Sequence, residues 1–286
     1  MLRKTVTGLL SSAIFAFSIG HASADESKLS NAEKAVAVLQ SFQSGDAAAM
    51  KKYVNPDKYI QHNPYFPDGI GPVAGTVDSG AFKGTLVNNY RTISDGDFAV
   101  VQSLYSGAWN KKSPLVVIDV FRFEDGLIVE HWDNMMALAS KPNPSGNTQL
   151  DGVTALTDID KTDANRTMAK NYIDTVLVKG QIDKIGDFVK DNEYIQHHPD
   201  IANGVSGLKA ALGAFAKKGI VMEYDKIHAV HAQGSFALVM SEGKFGGKHY
   251  AYFDFLGLSG GHVNQHWGIM APIPPKSDWK NSNGKF

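Results

Sequence analysis

Residues 116–135 read VVIDVFRFEDGLIVEHWDNM and set two carboxylates and an imidazole, Asp119, Asp133 and His131, among valines and phenylalanines. A carboxylate across from an imidazole fixes its tautomer and supports its charged form, which leaves a second carboxylate to act on a ligand. Such a set moves protons without metal or cofactor, and neither is expected here. The same three residues also fit a plainer role, a satisfied polar pair in a sheet with Asp133 capping a strand end.

Their relative placement depends on one turn. A three-residue loop, Glu124-Asp125-Gly126, with its glycine left-handed, would pair Phe123 with Leu127 and put Asp119 opposite His131. Alternation along the strands then gathers Val117, Asp119, Phe121, Phe123, Leu127, Val129, His131 and Asp133 on one face. A two-residue loop would separate Asp119 from His131.

A second observation raises the interest of this segment. Residues 59–64, YIQHNP, return as YIQHHP at 194–199. In the same frame Gly45 falls on Gly180, Val54 on Val189, Gly69 on Gly204, Asp119 on Asp254, and His131-Trp132 on His266-Trp267. One frame serving both ends of each half means that a whole fold is written twice. The second copy keeps Asp254 and His266, expected to face each other, but has Gly268 in place of Asp133 and Gln265 in place of Glu130. Tyr59 and His62, and Tyr194 and His197 in the second copy, are expected near the pockets, although a histidine before Asn63-Pro64 also fits a turn. Trp132 and Trp267 read as packing residues.

The elements that must position these groups are alike in both halves. Ser30-Asn31-Ala32-Glu33 is a capping box that opens an amphipathic helix closed by Gly45. The second copy opens with Asp163 and runs to Gly180. Short helices follow at 47–53 and 182–189, then a helix at 205–217 with a less regular counterpart near 80–92. Residues 98–105, 114–123 and 127–136, and 237–245, 249–256 and 262–270, are β-branched and aromatic and read as strands. Helices first and antiparallel strands afterwards indicate an α+β fold.

Residues 1–24 have another character. Arg3 and Lys4 precede an apolar run and Ala22-Ser23-Ala24, the pattern of a secretory signal peptide cleaved before Asp25. The run is well short of the ~20 apolar residues that a membrane span needs. The expected organisation is signal peptide 1–24, first domain 25–139, linker 140–161, second domain 162–275 and tail 276–286, with export to the periplasm or medium. Without Arg3 and Lys4 the 28 basic residues fall to 26 against 29 acidic ones, a charge of −3. No basic cluster exceeds two lysines, so neither nucleic acid nor an anionic membrane is an expected partner. The chain has no cysteine, which excludes disulfides, thiol nucleophiles and thiolate metal sites. Metal ligation through His62, His131, His197, His198 and His266 has no recognisable spacing.

The helix followed by YIQHNP, and DVFRFEDGLIVEHWD, resemble the SnoaL-like polyketide cyclase family, of the predicted aldol-condensation type, in the nuclear-transport-factor-2-like superfold. The resemblance covers both halves. It implies two tandem cone-shaped α+β barrel domains, each a curved antiparallel sheet wrapped round helices with a pocket inside. It assigns the acid/base role to Asp133, with Asp119 and His131 in support; Phe121 and Val129, on the same face by strand alternation, are expected to contact the substrate. The expected activity is aldol-type cyclisation, isomerisation or hydration of a small carbonyl compound in the first domain; the alternative is a non-catalytic binder of a small hydrophobic molecule. Since members of the superfold pair through their sheets, the tandem is expected to be a monomeric pseudo-dimer.

Overall fold

The computed structural model describes residues 29–110 and 113–286, so the segment read as a signal peptide and its expected cleavage site lie outside the described residues. Helix α1 (Asn31–Ser44) starts at the expected capping box, with Ser30 and Glu33 side chains each bonded to the other's backbone, and ends at left-handed Gly45. Its buried side, Ala35, Val38, Leu39 and Phe42, enters the first core with residues of α2 (Ala48–Tyr53) and α3 (Gly71–Asp78). These helices lie in the concavity of a five-stranded sheet, β1 (Ile60–Gln61), β2 (Thr85–Asp95), β3 (Phe98–Gly107), β4 (Leu115–Glu124) and β5 (Leu127–Ala137), in the order β1-β5-β4-β3-β2.

The second half repeats this plan. Helix α4 (Thr162–Tyr172) runs into a π-helical turn, Ile173–Val178, and a 3-10 turn, Ile182–Asp187. Strand β6 (Ile195–Gln196), helix α5 (Gly204–Lys217) and strands β7 (Met222–Gln233), β8 (Phe236–Phe245), β9 (Lys248–Ser259) and β10 (His262–Pro272) follow, with sheet order β6-β10-β9-β8-β7. Each half is an α+β unit with its own helix-lined core, so the fold occurs in tandem.

Two elements depart from the sequence reading. The helical counterpart sought near 80–92 is α3, and 85–95 is a strand, as is 222–233. Bulges at Asn89/Arg91 and at Tyr224/Lys226 and Ile227/Ala229 break the period-two signal in these strands, and polar residues on their exposed side dilute what remains.

The outer faces of the two sheets form a third core. Ile93, Val100, Val116, Ile118 and Val120 from the first sheet meet Phe236, Leu238, Phe253, Phe255, Trp267 and Ile269 from the second. The segment expected to be a linker is packed into this boundary. Leu150 is buried in it, and Arg91 lies 3.8 Å over the Trp267 ring while its guanidinium donates to the carbonyls of Leu150, Asp151 and Val153.

The segments that follow the two sheets cross reciprocally. After β5, Asn143 and Asn147 donate to the carbonyl of Gln196 in the second domain, and Asn147 also reaches Asn203. After β10, Asn281 donates to the carbonyls of Asn63 and Phe66 in the first domain, and Asn283 donates to the carbonyl of Gln61 and to Asp68. Each domain is thus latched by chain leaving the other.

Candidate functional site

The β4–β5 turn decides the site. It is a two-residue loop with Asp125 (φ 50°) and Gly126 (φ 77°) both left-handed, which joins Glu124 directly to Leu127. The three-residue loop expected from sequence is therefore wrong, and so is the pairing of Asp119 with His131. The partners are Asp119 with Asp133 and Phe121 with His131. A bulge between Ile128 and Glu130 supplies the missing residue, Val129, and returns His131 and Asp133 to the concave face. The second domain does the same with Gly260-Gly261 and a bulge before Gln265, so Asp254 faces Gly268 rather than His266.

His131 still reaches Asp119 diagonally, with Nε2 3.1 Å from Oδ1. Its other nitrogen, Nδ1, lies 3.1 Å from Gln61 Oε1, and that oxygen also accepts from the backbone N–H of Asn63 at 2.9 Å, which settles the amide orientation. Nδ1 therefore carries a hydrogen, and the Nε2–Oδ1 contact needs one more, on either atom. The pair holds this proton and has no net charge. Tyr105 donates to Asp119 Oδ2 at 3.0 Å. Burial pushes the Asp119 carboxyl above its ordinary range, against the opposing hydrogen bond and charge of His131.

Asp133 has different partners. Asn63 Nδ2 donates to its Oδ2 at 2.6 Å, with the Asn63 orientation set by Tyr65 N–H on Oδ1. Lys285, from the tail that follows the second domain, bonds the Asp133 carbonyl and stands 3.3 Å from Oδ1; both side chains are over nine-tenths buried. One ligand atom from each of Asp119, His131 and Asp133 falls within 4.8 Å of the others, a donor set that suits a divalent cation by type, although each is already engaged in the hydrogen bonds above. Of the histidines considered for metal from sequence only His131 belongs to this group, which is the one such group among the described residues.

These groups close one end of a cavity of about 50 Å³ whose apolar wall includes Leu39, Phe42, Tyr59, Val117 and Phe121. Tyr59 and Phe121 line this cavity. His62 and Val129 do not. His62 is on the other side of the short β1 strand, stacked on Trp132 at 4.6 Å, with Nδ1 donating to the Gly284 carbonyl and Nε2 2.8 Å from Glu130. Val129 is the bulge residue, buried outside the cavity wall. Alternation along Tyr59-Ile60-Gln61-His62-Asn63 was the signal that separates them: Tyr59, Gln61 and Asn63 line the cavity, and His62 points away. For Lys285 the sequence carried no signal.

Residues 35–131 match the family model of the SnoaL-like domain. Residues 35–131 are a SnoaL-like domain. No curated protein matches the chain. Solved structures similar to one SnoaL-like unit include TsrD from Streptomyces laurentii, at 23% identity over 38% of this chain and 91% of that one, TM-score 0.32. Others are an NTF-2 like protein of unknown function from Burkholderia xenovorans, at 15% identity over 39% and 87% with TM-score 0.34, and an NTF2-like protein of unknown function from Cytophaga hutchinsonii, at 9% over 38% and 92% with TM-score 0.32.

The second α+β unit has a wider cavity, about 260 Å³, lined by Asp254, His266 and Gly268 among tyrosines and phenylalanines. His266 Nε2 lies 2.7 Å from Asp254 Oδ1, and its Nδ1 faces Gln196 Nε2 at 3.2 Å, the Gln196 Oε1 being taken by the N–H groups of His197 and His198. Tyr194 and His197 do not line this cavity. Tyr194 bonds His266 Nδ1 from behind at 2.9 Å, and His197 stacks on Trp267 and pairs with Asp151, as His62 does with Trp132 and the tail.

Proposed function

We propose that the first SnoaL-like domain is a cofactor-independent acid/base enzyme acting on a small carbonyl compound by aldol-type cyclisation, isomerisation or hydration. One observation carries this reading: a carboxylate, Asp133, and a pair that shares a proton, Asp119–His131, stand together at the end of an apolar cavity. Asp133 takes a proton from the carbon beside the carbonyl, and the Asp119–His131 proton passes to the carbonyl oxygen, giving an enol. The enol carbon then attacks a second carbonyl or takes a proton elsewhere. Asp133 returns its proton to the new alkoxide or carbon, and the enol O–H proton goes back to the pair. The narrow cavity favours a substrate well below drug size.

The test is solvent-deuterium incorporation at the carbon beside the carbonyl in a panel of small ketones and aldehydes. Asp133→Asn is expected to lower the rate by about 10²–10⁴-fold, the usual worth of a general base. Incorporation by the variant at the wild-type rate would remove Asp133 from the chemistry.

A second reading belongs to the second domain. Gly268 leaves it without a counterpart of Asp133, and a wide cavity without that acid suits binding of a small hydrophobic molecule without turnover. The apolar boundary between the two sheets supports a monomer in which each domain serves as the other's partner, testable by sedimentation at micromolar concentration. The leader sequence supports export, in which case the protein recovered from the periplasm begins at Asp25.

A further inference from the structure

We infer that the second pocket binds an organic cation, a primary or secondary ammonium on an aromatic or apolar body. The inference rests on the reading of this domain as a binding pocket and adds the chemical class of its ligand.

Asp254 is an incompletely bonded carboxylate. Asp254 is buried and lines the cavity; its Oδ1 accepts from His266 and from Tyr224, while Oδ2 is shielded from solvent and has no partner among the described residues. Buried carboxylate oxygens are rarely left in that state, because the loss of hydration goes uncompensated. The neighbouring imidazole spends its contact with this carboxylate on Oδ1 alone: His266 Nε2 lies 2.7 Å from that oxygen, and its Nδ1 faces away, toward the Tyr194 hydroxyl and Gln196.

In the first domain the matching problem is solved internally. Asp119 shares a proton with a histidine whose two nitrogens both face acceptors, and Asp133 has the Lys285 ammonium. Among the described residues the second domain receives no such ammonium. Its latch comes from the segment after β5, where Asn147 plays the part of Asn283, and the residue in step with Lys285 is Gln149. Gln149 folds back onto the backbone of Ala137 and Ala139 instead of entering the pocket.

The rest of the cavity suits a cation. No lysine or arginine lines it. His198, which does, is held down to about 4 by burial and brings no charge at neutral pH. Asp200 adds a second carboxylate, largely exposed, to the lining. The wall is aromatic, with Tyr224 stacked on Tyr252 at 4.1 Å, Tyr252 on Tyr250 at 6.3 Å, and Phe245 edge-on to Tyr250 and Phe215. Aromatic faces attract cations and a carboxylate completes the site; a C–H group would leave Asp254 Oδ2 unpaired, and a neutral hydroxyl would bond it without bringing a charge. An N–H donor on a charged head answers both features. Gly268 keeps this end of the cavity free of a side chain, since a Cβ there would stand in close contact with His266 Nε2, at 3.3 Å, and 3.6 Å from Asp254 Oδ1.

The experiment uses the full chain with ¹³C-methyl methionine, because Met222 and Met270 line the second cavity and Met50 and Met135 the first. Three probes of similar shape are titrated at neutral pH: 2-phenylethylamine, 2-phenylethanol and 3-phenylpropanoate. The expected result is movement of the Met222 and Met270 signals with the amine at least tenfold tighter than the alcohol, no binding of the anion, and loss of the amine's advantage in Asp254→Asn. The wild-type comparison stands without the variant should Asp254→Asn fold poorly. Amine and alcohol binding equally would overturn the cation assignment and leave the binding pocket in place. No response of Met222 and Met270 to any probe would overturn both.

Discussion

Asp119 and Asp133 are direct partners across β4 and β5, and each has its own source of positive charge or proton: His131 Nε2 at 3.1 Å from Asp119, and Lys285 Nζ at 3.3 Å from Asp133. Two buried carboxylates on one face would otherwise oppose each other. The second of these partners arrives from the far end of the chain, so the site in one domain depends on the tail of the other.

Lys285→Met is expected to destabilise the protein by about 3–5 kcal/mol, the usual effect of removing one partner from a buried ion pair. In Asp133→Asn the same replacement should cost much less, since the charge that needs Lys285 is gone. Urea unfolding of the four members of this cycle measures the coupling, and additive effects would show that Lys285 acts only as a tether.

Asp119 makes a prediction about pH. Burial, the largest influence on it, raises its folded value above the unfolded one of about 3.9. Between those values the native state binds more protons than the unfolded chain, so this contribution to stability is full below the unfolded value and is lost as pH rises through the folded one. Asp119→Asn cannot ionise. Wild type should therefore be strongest relative to the variant near pH 3 and lose ground as pH rises, as read by denaturant midpoints in steps to pH 8. A difference that grows in favour of wild type with rising pH would contradict the assignment.

Gly268→Asp restores the missing acid of the second pocket in sequence but not in surroundings. Its carboxylate would stand beside Asp254 with neither a counterpart of Lys285 nor of Asn63, where the chain has His198. A loss of about 3 kcal/mol or more at neutral pH is expected, relieved as pH falls. Unchanged stability would mean that the pocket holds a cation or solvent able to neutralise the new charge.

Arg91 joins the first sheet, the crossing segment and Trp267 through one guanidinium, whose own value burial draws down to about 10. Arg91→Met keeps much of the packing and abandons the carbonyls of Leu150, Asp151 and Val153. A cost of about 2–4 kcal/mol is expected from buried acceptors left unpaired. Proteolysis in the segment 140–158 should speed up in parallel, and an unaltered digestion rate would show that the segment is held by other contacts.

The duplication, the α+β class, the capping box at Ser30 and the gathering of Asp119, His131 and Asp133 on one face were legible in the sequence. These depend on local chemistry: a repeated string, a cap, and strand alternation that survives when strands are long and apolar. The sequence also showed that the second copy lacks the acid, because Gly268 is a difference of residue type.

Only the tertiary structure decided the register. Asp125-Gly126 makes a two-residue turn, and the bulge at Val129 repairs the phase that this turn would otherwise shift; turn and bulge cancel, so the right face was reached with the wrong partner. Period-two patterning records which face a residue occupies but not which residue stands across from it. Lys285 lies 152 positions from Asp133, and no local pattern links them. Their meeting follows from the crossing of the tail over the boundary between two sheets, a consequence of how two cores pack rather than of either core alone.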